Sequence, residues 1–148
     1  MKITLITVGK LKSKGGFCEL DTFYRDRIKP YCRLDVVELK EKGDIVSETE
    51  SIKRSIPEGS FLIALREDGE VFNSVNFSKL IERTLEACGD ICFVIGGAYG
   101  YSDVGEKFSL SIASWTLPHQ LARIVLLEQI YRGLSIIKGS KYHHSNFT

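Results

Sequence analysis

Ile91-Cys92-Phe93-Val94-Ile95-Gly96-Gly97 decides the fold. Five consecutive apolar residues, three of them β-branched, form a strand short enough to be buried along its whole length. Two glycines then stop it. A buried strand of this kind belongs to a parallel sheet covered by helices, and open α/β sheets bind ligands beyond the carboxyl ends of their strands. Glycines there let a ligand approach the backbone. The segment is neither a dinucleotide-binding nor a phosphate-loop fingerprint, so an ordinary strand-to-helix turn also accounts for it at this point.

The flanking chain supplies the rest of the sheet. Lys2–Val8 alternates and is rich in β-branched residues, and the lysine- and glycine-rich residues 9–16 then break the pattern. Phe17, Leu20, Phe23, Tyr24 and Ile28 recur at helical spacing up to Pro30, and Arg33–Leu39 returns to strand alternation. Residues 41–56 are polar and helical in part, Pro57-Glu58-Gly59 is a turn, residues 60–65 form a buried strand, and Asp68-Gly69 turns the chain. Asn73 or Ser74 caps a helix whose apolar face carries Phe77, Leu80, Ile81 and Leu85, ending near Gly89.

Beyond the glycines, residues 108–115 read as another strand or strand-like segment, and Pro118 opens a helix that runs to Ile137. That helix is apolar nearly all round, so it needs more than one surface to cover it. A second copy of the chain is the simplest supply. The expectation is a mostly parallel α/β sheet with helices on both faces, in one domain over residues 1–148.

Composition narrows the class without naming a partner. A hydrophobic fraction of 43% and a charged fraction of 26% are those of a globular protein. A net charge of +1 leaves no global electrostatic footprint for a nucleic acid, so any basic surface is local. Lys10, Lys12 and Lys14 are the candidates, although a lysine-rich loop is as readily explained by solvation. The apolar opening is too short for a signal sequence or membrane span, which points to the cytoplasm and no membrane partner. Cys18, Cys32, Cys88 and Cys92 then read as free thiols.

No nucleophile elbow and no close cysteine pair is present, so neither hydrolase chemistry nor a metal is expected. His143 and His144 stand in a polar tail beside Tyr142, where solvation or function is possible. His119 follows Pro118 at a helix start, where the positive end of the helix dipole favours a neutral ring.

One ordered set of segments goes further. Met1-Lys2-Ile3-Thr4, Val8-Gly9-Lys10-Leu11-Lys12, Val94-Ile95-Gly96-Gly97, Pro118-His119-Gln120-Leu121-x-Arg123, Glu128-Gln129-x-Tyr131-Arg132 and Tyr142-His143 together resemble the RlmH family of the SPOUT superfamily. Those proteins are large-subunit ribosomal RNA pseudouridine N3-methyltransferases. The resemblance implies an α/β knot with a carboxyl-terminal trefoil, S-adenosylmethionine as cofactor, ribosomal RNA as partner and a homodimer.

Carried onto this chain, the cofactor residues are Leu65, Gly96, Ile112, Ala113, Ser114, Trp115, Thr116 and Leu117. The catalytic candidates are Arg123, Tyr142 and His143, with His119 behind them. Arg123 is expected to contact a phosphate or oxyanion, His143 to remove a proton, and Tyr142 to stack on or position the base. Two departures stand out: the connection over residues 41–56 is short, and His144 to Thr148 extend the tail. A methyltransferase acting on transfer RNA, and a non-catalytic nucleotide- or ribosome-binding module, are the rival readings.

Overall fold

The computed structural model describes residues 1–144; the tail from Ser145 to Thr148, where the resemblance is weakest, lies outside them. In chain order the described elements are β1 (Lys2–Val8), α1 (Gly16–Ile28), β2 (Arg33–Leu39), α2 (Ile45–Ser55), β3 (Phe61–Val71), α3 (Ser74–Cys88), β4 (Asp90–Ile95), β5 (Phe108–Ser111) and α4 (His119–Ile137). The strands form one sheet in the order β2-β1-β4-β3-β5, and every pairing is parallel.

Alternation along the central strands builds two cores. Ile3 and Leu5 of β1, with Ile91 and Phe93 of β4, meet α1, α3 and α4 on one face. Ile6 and Val8, with Cys92 and Val94, meet α2 through Ile52 on the other. The two-residue period of a strand produces both faces from one apolar run.

The helices start where local chemistry allows. The Asn73 side chain accepts the Asn76 N–H at 2.8 Å, which fixes it as the cap of α3, and Gly89 ends that helix with a positive φ of 82°. Asp44 caps α2 in the same way, accepting from Ser47 at 2.7 Å.

Three expectations from sequence are corrected. The chain does not leave the sheet at Asp68-Gly69: β3 runs on to Val71 with an irregularity in which both Leu65 and Glu70 pair with Leu110. A Cβ on Gly69 would lie 2.6 Å from the Leu110 carbonyl carbon, so the glycine serves a close approach of two backbones. β5 stops at Ser111, and Trp115 stands in the following loop with 85% of its surface exposed.

The third correction concerns α4. It packs between α1 and α3, and Leu126, Leu127, Ile130 and Leu134 lie in the core of the same chain. Leu127 is wholly buried. Most of the helix's apolar character is therefore explained within one chain.

Candidate cofactor pocket and tail cluster

The carboxyl ends of β3, β4 and β5 open into one cavity of about 610 Å³, within the range of small-molecule sites. Its walls are the irregular part of β3 from Leu65, the glycine segment after β4, the loop after β5 and the start of α4. Seven of the eight expected cofactor residues, Leu65, Gly96, Ile112, Ala113, Trp115, Thr116 and Leu117, line it. Ser114 does not. Three segments far apart in sequence converge because parallel strands all end on one side of the sheet.

Tyr101, which the sequence reading passed over, organises this cavity. Its hydroxyl donates to the Leu65 carbonyl at 2.7 Å and lies 3.2 Å from that of Val94, tying the ends of two strands together. Its ring packs on Gly96 so closely that a Cβ there would fall 2.5 Å from Cδ1. Burial pushes the phenol well above its ordinary range, so it remains a donor. An aromatic directly after Gly100 was the available signal.

Arg66 braces that ring from outside. Its guanidinium lies 4.1 Å from the ring centroid and donates to the Tyr101 and Ser102 carbonyls and to the Glu106 carboxylate. Burial alone would raise Glu106, but the Arg66 hydrogen bond and the Val104 N–H override it and hold the carboxyl at about 2. A depressed carboxylate contributes stability that is present above its ordinary value of 4.5 and disappears as pH falls through about 2. Glu106→Gln should therefore lower stability by about 2 kcal/mol at neutral pH. Urea titrations at stepped pH should show the gap from wild type closing between 4.5 and 2. A gap independent of pH would contradict the pairing.

Among the described residues Glu67 and Asp68 are the only carboxylates lining the cavity, and both are exposed. They favour a ligand carrying positive charge. Among the described residues no group of three His, Cys, Asp or Glu side chains is placed to hold a metal. Cys92 lies in the core, where burial pushes its thiol up to about 12 and leaves it inert.

The structure separates the catalytic candidates. Arg123 is only 3% exposed. Its Nε donates to Asp21 at 2.9 Å and its Nη1 to Glu38 at 2.6 Å, joining α1, β2 and α4. Glu38 also accepts the Leu11 N–H at 3.2 Å, which anchors the lysine loop. The expected phosphate or oxyanion contact does not fit this arrangement, because the guanidinium is buried on two carboxylates; it acts as an internal clasp.

Tyr142 and His143 come together elsewhere, on the middle of α4. The Tyr142 hydroxyl donates to Glu128 at 2.7 Å, and its ring lies 4.5 Å from that of Tyr131 and 4.8 Å from the Arg132 guanidinium. Arg132 donates to Glu128 at 2.7 Å and contacts His143 Nδ1 at 3.1 Å. Burial first, and the Glu128 carboxylate second, raise the Tyr142 phenol above its ordinary range. Sequence had placed Glu128 and Arg132 only in a pattern; their four-residue spacing puts them on one helix face, which was the signal to use.

Neither Tyr142 nor His143 lines this cavity, whereas His119 and Ala122 do. Glu128 lies six residues beyond Ala122, roughly 9 Å along the helix.

Comparison with known proteins gives this geometry its context. The sequence profile described as "Predicted SPOUT methyltransferase" matches residues 1–143. The chain is similar to proteins named "Ribosomal RNA large subunit methyltransferase H" from Streptococcus sanguinis, at 41% identity, and Syntrophotalea carbinolica, at 38%. A protein of the same name from Clostridium botulinum is 37% identical. Each alignment covers 97% of this chain and 99% of the relative. With the match running from the first strand into the tail, and a three-loop cavity at the sheet's carboxyl edge, the chain belongs to the SPOUT methyltransferase family.

Proposed function

We propose that this chain is an S-adenosylmethionine-dependent methyltransferase that modifies N3 of a pseudouridine in large-subunit ribosomal RNA. The observation that carries the reading is the cavity bordered by Leu65, Gly96 and Leu117, in a chain whose relatives are named for methylating that RNA. The cavity suits the cofactor in size and chemistry. Backbone groups beside Gly96 and in the loop 112–117 would take the adenine edge, and Glu67 and Asp68 favour the cationic end.

When bound, the cofactor supplies an electrophilic sulfonium methyl: the N3–carbon bond forms as the carbon–sulfur bond breaks, leaving a neutral thioether, and the imide proton departs. The chain's own task is to orient the two reactants and keep water out. Tyr142 and His143 are assigned to the substrate base, and Arg123 to holding the framework of α1, β2 and α4. Lys10, Lys12 and Lys14, all exposed, are assigned to RNA phosphates.

A homodimer accords with two features. Phe17, Leu20 and Phe23 on α1 and Leu121 on α4 are 41%, 43%, 43% and 37% exposed, apolar side chains that the described residues leave uncovered. The tail cluster also stands apart from its own cavity, so a second copy would bring a tail to it. We read the chain as one domain over residues 1–148, with the α/β knot its family implies. An experimental trace passing outside the threading loop would remove the knot. Cytoplasmic location follows from the proposed substrate, and among the described residues no helix is long and apolar enough to cross a membrane.

The test is to incubate the purified protein with methyl-labelled cofactor and ribosomes, subunits or transfer RNA, and to map the label by nuclease digestion. The expected result is label on one large-subunit pseudouridine. Label on transfer RNA would favour the first rival reading, and cofactor binding without transfer the second. Sedimentation at micromolar concentration checks the dimer, which a stable monomer would refute.

A further inference from the structure

Resting on that reading, we infer that His143 acts as a hydrogen-bond donor to the substrate base through its Nε2–H, with Arg132 as the positioning residue that fixes this tautomer. It is then not the group that removes the imide proton. The argument begins with what a guanidinium can do. Arginine carries five N–H donors and no acceptor, so a contact of 3.1 Å from Arg132 Nη1 to His143 Nδ1 requires that nitrogen to accept. A ring whose Nδ1 accepts carries its hydrogen on Nε2.

That second nitrogen is the other half of the observation. His143 Nε2 is buried and has no hydrogen-bond partner among the described residues. Buried polar groups are almost always paired, because leaving a donor unmade forfeits its hydration. A donor left unpaired in a cluster assigned to the substrate is satisfied only when an acceptor reaches it, and because this nitrogen has no exposed surface the tail shifts as the base arrives.

A pseudouridine ring supplies one. Its N3 lies between two carbonyl oxygens, and loss of the imide proton spreads negative charge onto both. A preorganised donor aimed at either oxygen is worth more as that charge develops than before it, which is how such donors accelerate reactions.

A base role would need a bare Nε2, hence a hydrogen on Nδ1 pointing at the Arg132 guanidinium. Among the described residues of the tail cluster no other group substitutes as base. The Glu128 carboxylate already accepts from Tyr142, Arg132 and Gln129. Tyr142 has its proton committed to Glu128, and burial and that carboxylate oppose its ionisation. The remaining nearby groups are the Tyr24 and Tyr131 phenols and the exposed Lys141 and His144. The imide proton accordingly passes to water or to a carboxylate lining the cavity, Glu67 or Asp68.

Two readouts test this. Long-range proton–nitrogen correlation spectra of the intact histidine-labelled protein should show His143 protonated on Nε2 and bare on Nδ1, with Arg132→Met turning it into a tautomer mixture. In methylation assays, His143→Gln retains an N–H donor but has no basic nitrogen. It should stay within about tenfold of wild type, while His143→Ala should fall on the order of 100-fold, both with unchanged cofactor affinity.

Protonation of Nδ1 in the wild-type spectrum, or a Gln variant as slow as Ala, would overturn the assignment. The spectrum needs no substrate, so it decides the tautomer independently of whether the methylation reading holds.

Discussion

Gly96→Val should remove cofactor binding while leaving the fold in place. The first added carbon would fall 2.5 Å from Tyr101 Cδ1 and 2.9 Å from Cε1, closer than such atoms approach in folded proteins. A free ring would swing away, but this one is held at its hydroxyl by Leu65 and across its face by Arg66. Relief must come from the glycine segment itself, which forms a wall of the cavity. We expect affinity for S-adenosylmethionine, measured calorimetrically, to fall by at least about 100-fold, or about 3 kcal/mol, with an unchanged circular dichroism spectrum. Gly97→Ala should be milder, since its added carbon meets a Val8 methyl at 3.1 Å. Wild-type affinity in the valine variant would sink the cofactor assignment.

Leu127→Asp should unfold the protomer. Leu127 has no exposed surface and sits in the core that α4 shares with α1, α3 and the sheet. An unpaired carboxylate there loses both apolar burial and hydration, a cost of several kcal/mol against a total stability of about 5–15 kcal/mol. Urea unfolding should show a collapsed midpoint or no folded baseline. A charge on Leu121, 37% exposed, should leave the midpoint close to wild type and test assembly instead. A folded, merely dissociated Leu127→Asp protein would mean that the face assigned to the core is an interface.

How much of this was legible in the sequence depends on whether a residue's role was local. Strand alternation in Lys2–Val8 and the apolar run at Ile91 reported their own burial, and Asn73 and Gly89 marked the ends of α3 by their own chemistry. Gly69 misled because a glycine after an aspartate favours a turn, whereas here it admits Leu110 from a strand about forty residues away. Trp115 was read as the end of a strand-like segment, but β5 stops at Ser111 and the loop after it carries Trp115 outward.

The candidate site divides in the same way. The cavity loops follow from the rule that parallel strands end together, once resemblance had indicated which strands these are. Arg123 was misread because its partners, Asp21 and Glu38, lie 102 and 85 residues away. No pattern within one helix reveals that pairing. A separation of 36 residues likewise hid the bond from Tyr101 to the carbonyl of Leu65.

The irregularity in β3 has a consequence for chain length. Leu65 and Glu70 both pair with Leu110, so residues 66–69 form a detour clamped to one partner at each end. An inserted or deleted residue there could not be absorbed by sliding, because a one-step slip would turn Phe72 away from Phe108 and send its neighbours to the opposite face. Alignments to relatives span 156 to 162 positions against 148 residues here, so the family does vary in length. An insertion in this wall should therefore distort the cavity, whereas connections such as residues 40–44, where no ladder counts the residues, should accept one.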